Sequence, residues 1–416
     1  MTSNFSFLRN RSLLTIGFSE SVSNIGNWIT MMAIYALVIF KGEGNVLQSS
    51  GIYLAGLLPI LFFSPAAGWL ADHYDRKWLM ITSEVCAGLA IAGLIFTTRL
   101  EWIYILIALQ ALFVSLMAPA RRAVIPALVN KEDLPRANAL LEQLSGIIKI
   151  FAPVLAGAIL AVMNPHQAII LDVVSFALSA LILSRLPSLP PPQVQHRKEV
   201  IETKKPLLNI WTVLSKFPQI GLLYVCIFAS ITIIVGFDVL APIYTRDILQ
   251  GHEQLFGTLI AAVGAGTLAG TLALMLVKGK RSAWRGFFLG LFLLACIPLV
   301  MAISTWMPSV SLSQAIAILG CFLGGIGNGL LHVQSATLLQ TLSPREFLGR
   351  LGGIFESVAT SGQLVGVLIS PLLVPALLSL TTFFLLDFVL LMVLLIFSSA
   401  RLHKMNSMNA TSNLSE

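Results

Sequence analysis

The chain has 416 residues, of which 56% are hydrophobic and 11% charged, with a formal net charge of +7. A soluble domain carries about 25% charged residues, so this composition excludes a soluble globular fold; lipid, which solvates apolar side chains, does not demand a charged surface. Apolar runs of 18 or more residues recur along the chain, and about 20 helical residues span ~30 Å of hydrocarbon, which predicts an all-α membrane protein and not a β-barrel of ~10-residue alternating strands.

Twelve runs follow in chain order: 12–40, 49–71, 78–98, 102–120, 134–162, 166–186, 219–245, 255–277, 286–303, 310–338, 347–374 and 376–400. The first is too long for a cleaved signal peptide and carries polar residues a leader lacks. On it Glu20, Ser23, Asn24, Asn27 and Met31 form one helical stripe. The third carries Glu84, expected to meet Arg121 or Arg122 of the following loop. The fifth carries a stripe of Glu142, Gly146, Lys149, Pro153 and Ala156, and the seventh carries Asp238. The eleventh carries Gly352, Glu356, Thr360 and Gln363 on one face. Charges inside a membrane are costly and need a reason; three polar stripes suit a hydrated path better than three lipid-facing helices. For Glu142 and Glu356 a structural pairing with Arg136 and Arg350 is an equal alternative. Asp172 and Asp387, at matching places near the starts of the sixth and twelfth runs, read as structural.

Basic residues set the orientation. With the N-terminus in the cytoplasm, inner segments hold 22 Lys and Arg, and outer loops hold only Lys41, Arg99 and Arg246. Both termini are then cytoplasmic, and the positive charge reads as membrane topology, with no nucleic-acid partner. The four cysteines, Cys86, Cys226, Cys296 and Cys321, lie in apolar runs without metal-ligand spacing. No G-x-x-x-x-G-K-[ST] loop occurs. No nucleophile, base and metal set stands out either, so no enzyme activity, cofactor or metal is expected.

Segment 187–218 interrupts the pattern with Pro187, Pro190, Pro191 and Pro192 and with Arg197, Lys198, Lys204 and Lys205. It divides the chain into a six-helix bundle over 1–186, a cytoplasmic linker over 187–218, a second bundle over 219–400 and a tail over 401–416. The halves resemble each other: residues 128–143 align without gaps to 342–357, pairing Glu132 with Glu346, Arg136 with Arg350 and Glu142 with Glu356.

The loop after the second run reads Gly68-Trp69-Leu70-Ala71-Asp72-His73-Tyr74-Asp75-Arg76-Lys77. It resembles the G-x-L-A-D-R-x-G-R-K signature of the major facilitator superfamily, with His73 for the usual Arg and Asp75 for the usual Gly. Ile25-Gly26-Asn27-Trp28-Ile29-Thr30 and the stretch Pro119 to Val129 are similar to the macrolide-efflux and siderophore-export branch, where an Asp often stands at the position of Asn27. Gly146, Pro153 and Gly157 resemble an antiporter signature on the fifth helix.

The resemblance implies a major facilitator fold of twelve transmembrane helices in two pseudo-symmetric bundles. It implies a gate at Gly68, Asp72, Arg76 and Lys77, with Gly68 permitting close helix approach and Asp72 capping a neighbouring helix or pairing with Arg76. It implies a central cavity lined by helices one, five and eleven. Glu20, Glu142 and Glu356 are then the proton-coupling candidates. Asn24, Asn27, Lys149, Asp238 and Gln363 are the substrate contacts. The expected activity is proton-coupled export of small amphipathic, drug-like or siderophore-like compounds by a monomer in a bacterial inner membrane. Uptake of a siderophore or anionic metabolite by the same fold, and a non-transporting sensor or scaffold, remain alternatives.

Overall fold

The computed structural model of the chain describes residues 10–42, 44–129, 140–141, 144, 147–148, 151–152, 155–160, 162–189, 217–276, 282–343 and 348–412. Among them the regular elements are all helical. They are α1 (Arg11–Tyr35), α2 (Val46–His73), α3 (Arg76–Gly93), α4 (Leu100–Val114), α5 (Met117–Leu128), α6 (Pro165–Ser184), α7 (Pro218–Asp247), α8 (Glu253–Leu276), α9 (Ala283–Leu294), α10 (Cys296–Ser304), α11 (Val310–Leu342), α12 (Leu348–Leu373) and α13 (Leu380–Ser412). Eleven stretches among the described residues are long and apolar enough to cross a membrane. They match eleven of the twelve expected runs to within a few residues. The remaining run, the fifth at 134–162, is described only in part.

Local chemistry sets the helix starts. Asn10 accepts from the Leu13 amide and donates to the Leu128 carbonyl, which ties the start of α1 to the end of α5. Asn45 with Gln48, and Asn164 with Gln167, form reciprocal capping boxes on α2 and α6. The last helix runs on to Ser412, into the segment expected as a tail. No Gly or Pro lies between 380 and 412 to stop it.

The chain divides into two compact units: 1–194 with 251–261, and 195–250 with 262–416. In the first, α1 packs most extensively on α6, and α3 bridges α6 and α4. In the second, α9 packs on α11 and α7 on α12. The glycine-rich runs of the second unit are packing devices. A side chain on Gly266 would strike the Phe322 carbonyl, and one on Gly325 the Val263 carbonyl, so the backbones of α8 and α11 touch. Leu89, Ile105, Leu181, Val393 and Ile396 are exposed. Such apolar exteriors suit acyl chains; the protein is an integral membrane protein.

Candidate functional site

On α1 of the first unit, the polar stripe meets α4 and α5. Arg121 donates to Glu20 at 3.0 Å, with side chains only 10% and 17% exposed. Gln110 of α4 donates to Asn27 at 2.7 Å. Asn24 is half-buried between them and makes no side-chain bond to a described residue. The expected pairing of Arg121 with Glu84 does not occur: α5 brings Arg121 to α1, and Glu84 of α3 takes a hydrogen bond from Ser23 instead. Gln110 is a site residue that the sequence reading passes over, although one amide in the apolar run 102–120 is a signal for it.

Behind this stripe, α1, α3 and α6 enclose a second polar seam. Ser19 and Ser179 share a hydrogen bond at 2.6 Å. Ser175 donates to Asp172 at 2.9 Å. Gly26 lies directly against Asp172 and Ser175, and any Cβ there would overlap both. Glu84 and Asp172 are buried.

The signature loop joins α2 to α3. Asp72 is exposed and makes no side-chain bond to a described residue. It does not pair with Arg76, which is buried and turns its Nε to the Ala71 carbonyl at 3.3 Å. Gly68 is not a contact point either: a Cβ there meets nothing within 4 Å, because this turn of α2 faces outward with Trp69 exposed. Lys77 lies over the Trp78 ring at 5.8 Å.

Asp75, the departure from the family pattern, has the richest contacts of the loop. It caps α3 by accepting from the Lys77 amide at 2.9 Å and also accepts from Ser188 Oγ and the Leu189 amide. The Arg76 amide donates back to the Leu189 carbonyl at 3.1 Å. Leu189 is buried with Ile16, Met80, Val124 and Leu186. Residues 186–189 are therefore docked on the first unit. Burial disfavours charge on Asp75, but the bonds from Ser188, Leu189, Lys77 and Trp78 outweigh it and hold the carboxyl below its ordinary value.

In the second unit, Asp238 of α7 is exposed while Val235–Phe237 and Val239–Thr245 are all buried. On α12, Glu356 is exposed and Gln363 half-buried, each without a side-chain bond to a described residue. Glu142, Gly146, Lys149 and Pro153 lie outside the described residues. Gly157 is described, and it abuts the Gly257 backbone with no room for a side chain, both lying in the first unit. Among the described residues no group of His, Cys, Asp or Glu is arranged to hold a metal ion.

The model of the Major Facilitator Superfamily matches residues 16–324. The chain is 27% identical over 367 residues to "Uncharacterized MFS-type transporter YfiS" of Bacillus subtilis, covering 87% of this chain and 86% of that one. It is 24% identical to "Macrolide efflux protein A" of Streptococcus pyogenes, covering 86% and 88%, and 28% identical to "Enterobactin exporter EntS" of Escherichia coli, covering 77% and 74%. The crystal structure of the nucleoside transporter NupG matches with a TM-score of 0.66 at 13% identity, over 94% of this chain and 98% of that chain. A polytopic helical chain with polar stripes on its membrane helices, matched over most of its length by this family, belongs to the major facilitator superfamily of membrane transporters.

Proposed function

We propose that the protein is a proton-coupled exporter of small amphipathic organic compounds, working by alternating access in a bacterial cytoplasmic membrane with both termini in the cytoplasm. The observation that carries the reading is the Glu20–Arg121 pair beside the Asn27–Gln110 pair. A largely buried carboxylate and guanidinium within membrane helices is expensive unless used, and the pair can open when a proton neutralises Glu20. That two relatives are described as a macrolide efflux protein and an enterobactin exporter supports the outward direction. The two bundles, 1–186 and 219–400, would move about the linker 187–218, with Asp72 making its gating contacts in the opposite state.

The test uses everted membrane vesicles with a macrolide or a catecholate siderophore as probe. Uptake into the vesicles should follow an imposed proton gradient in the wild type and be lost in Glu20→Gln, while exchange of substrate without a gradient survives. Gradient-driven transport by Glu20→Gln at the wild-type rate would overturn the coupling role. Uptake only into right-side-out vesicles would make the protein an importer.

A further inference from the structure

We propose that the end of the first membrane helix is a register switch: a π-helical turn over Ala36–Lys41 clasps Phe256 of α8, and its return to α-helical winding lets Phe256 go. The clasp stands on packing within the first unit; its use in a transport cycle rests on the proposed function.

The winding decides which rings meet. α1 continues without a break into the turn Ala36–Lys41. Tyr35 and Phe40 both reach Phe256, with ring centroids 6.1 Å and 5.9 Å away, inside the range where aromatic pairs attract. The two rings are five residues apart in sequence. At ~100° per residue an α-helix would set them about 140° apart, on different faces. A π turn, with i→i+5 bonds and ~4.4 residues per turn, brings them to within about 50°. Tyr35 and Phe256 are each 1% exposed, so the clasp is buried.

The local sequence does not ask for this winding. No Gly or Pro lies between Trp28 and Lys41, and π-helix is the rarest of the helical windings. The contact with Phe256 favours it here, so withdrawing Phe256 favours the α-helical form. The chain beyond fits the turn closely. The Gly42 amide donates to the Leu37 carbonyl and the Gly44 amide to the Val38 carbonyl, each at 3.0 Å. A Cβ on either glycine would stand 2.7 Å from the Val38 oxygen.

α8 gives the switch something to act on. It is one helix from Glu253 to Leu276, but residues 251–261 pack with the first unit and those from 262 with the second. Within the second unit its backbone touches α11, at Gly266 against the Phe322 carbonyl and at Gly270 against the Ile326 carbonyl. No rotamer change releases a backbone contact of that kind. Within the first unit Gly257 lies flat against Gly157 with no side chains to interlock. The ring clasp on the adjacent Phe256 is the grip that a change of winding can open.

The experiment uses the full chain in lipid nanodiscs without substrate. Cys86, Cys226, Cys296 and Cys321 are replaced by Ala, and spin labels are placed on Lys41→Cys and Gln254→Cys, both exposed positions. Pulsed electron spin resonance reads the distance between the labels. Phe256→Ala should raise the long-distance population about tenfold, and Phe40→Leu about threefold. Deleting Leu37 puts Phe40 four residues after Tyr35, where an ordinary α-helix keeps both rings within about 40°; that variant should show the short distance alone. The double variant Ile39→Phe with Phe40→Leu sets the ring at the same spacing without shortening the chain, and serves if the deletion does not fold. A turn that is merely packed would be loosened by either change. A longer distance in these two variants, or one distribution shared by all, therefore overturns the proposal. In everted vesicles with a macrolide as probe, the deletion should lower transport by at least about tenfold, because the helix is held in one state. Transport at the wild-type rate in that variant overturns the switch. A wild type that moves neither a macrolide nor a catecholate siderophore, with the distances as expected, overturns the proposed function and leaves the switch standing.

Discussion

The two halves meet the same packing problem at the same place and solve it with different chemistry. In the first, Gly26 of α1 lies against Asp172 of α6; in the second, Gly236 of α7 lies against Phe383 and Asp387 of α13. Around Asp172 are Ser175, Thr30 and, two turns away, the Ser19–Ser179 bond. Around Asp387 are rings: Phe383 stands 5.9 Å from Phe384, which stands edge-on to Tyr244 at 5.2 Å. The repeat has kept a glycine and an acid where two helices touch. Among the described residues, hydroxyls stand around the acid of the first half, whereas aromatic rings stand beside the acid of the second.

The contrast can be broken most forcefully at the ion pair. Arg121→Ala strands Glu20 within the membrane and should cost about 3–5 kcal/mol, read as loss of folded protein in chromatography and thermal unfolding. Glu20→Gln combined with Arg121→Gln should recover most of it. In the second half, Glu356 has no bond to a described residue, and Glu356→Gln should shift stability by less than about 0.5 kcal/mol.

Next come the two glycines. Gly26→Ala pushes a methyl into Asp172 and Ser175, and overpacking of this kind costs about 3 kcal/mol. Gly236→Ala meets the rim of the Phe383 ring, which can swing aside, so about 1 kcal/mol is expected. Equal costs at the two positions would erase the difference between the seams.

The smallest effect is at Asp75, whose contacts are all described in the first half. Its carboxyl is held below the ordinary value, so the docking of residues 186–189 is fully present above the usual carboxylate range. It weakens as pH falls through the lowered value. With the intrinsic pH dependence of exchange divided out, the protection of the Leu189 amide should fall on acidification in the wild type, and be low and independent of pH in that range in Asp75→Gly.

Much of this architecture is legible in the residues themselves. Length and hydropathy locate eleven described spans because a membrane helix must satisfy its backbone internally and face lipid over a fixed thickness. The signature loop is readable, but its contacts are not. Gly68 faces open space, and Arg76 turns inward to the Ala71 carbonyl at the end of α2, since a motif fixes residue types and not rotamers. The partner of Arg121 is not decided by sequence because Glu20 of α1 and Glu84 of α3 both offer a carboxylate, and only the packing of α5 against α1 selects Glu20. Asp75 stands out as a substitution, yet nothing in a linear sequence tells that Ser188 and Leu189, over a hundred residues on, come back to it.

The seam also imposes an order on biogenesis. Ser19 waits for a partner 160 residues away, and at ~5–20 residues per second of synthesis that gap is about 8–30 s. During that interval Ser19 of α1 goes unanswered, and α3 enters carrying Glu84, the partner of Ser23, before Asp172 exists. A slow codon stretch or a depleted insertase between α3 and α6 would therefore harm this protein more than one whose first helix is uniformly apolar.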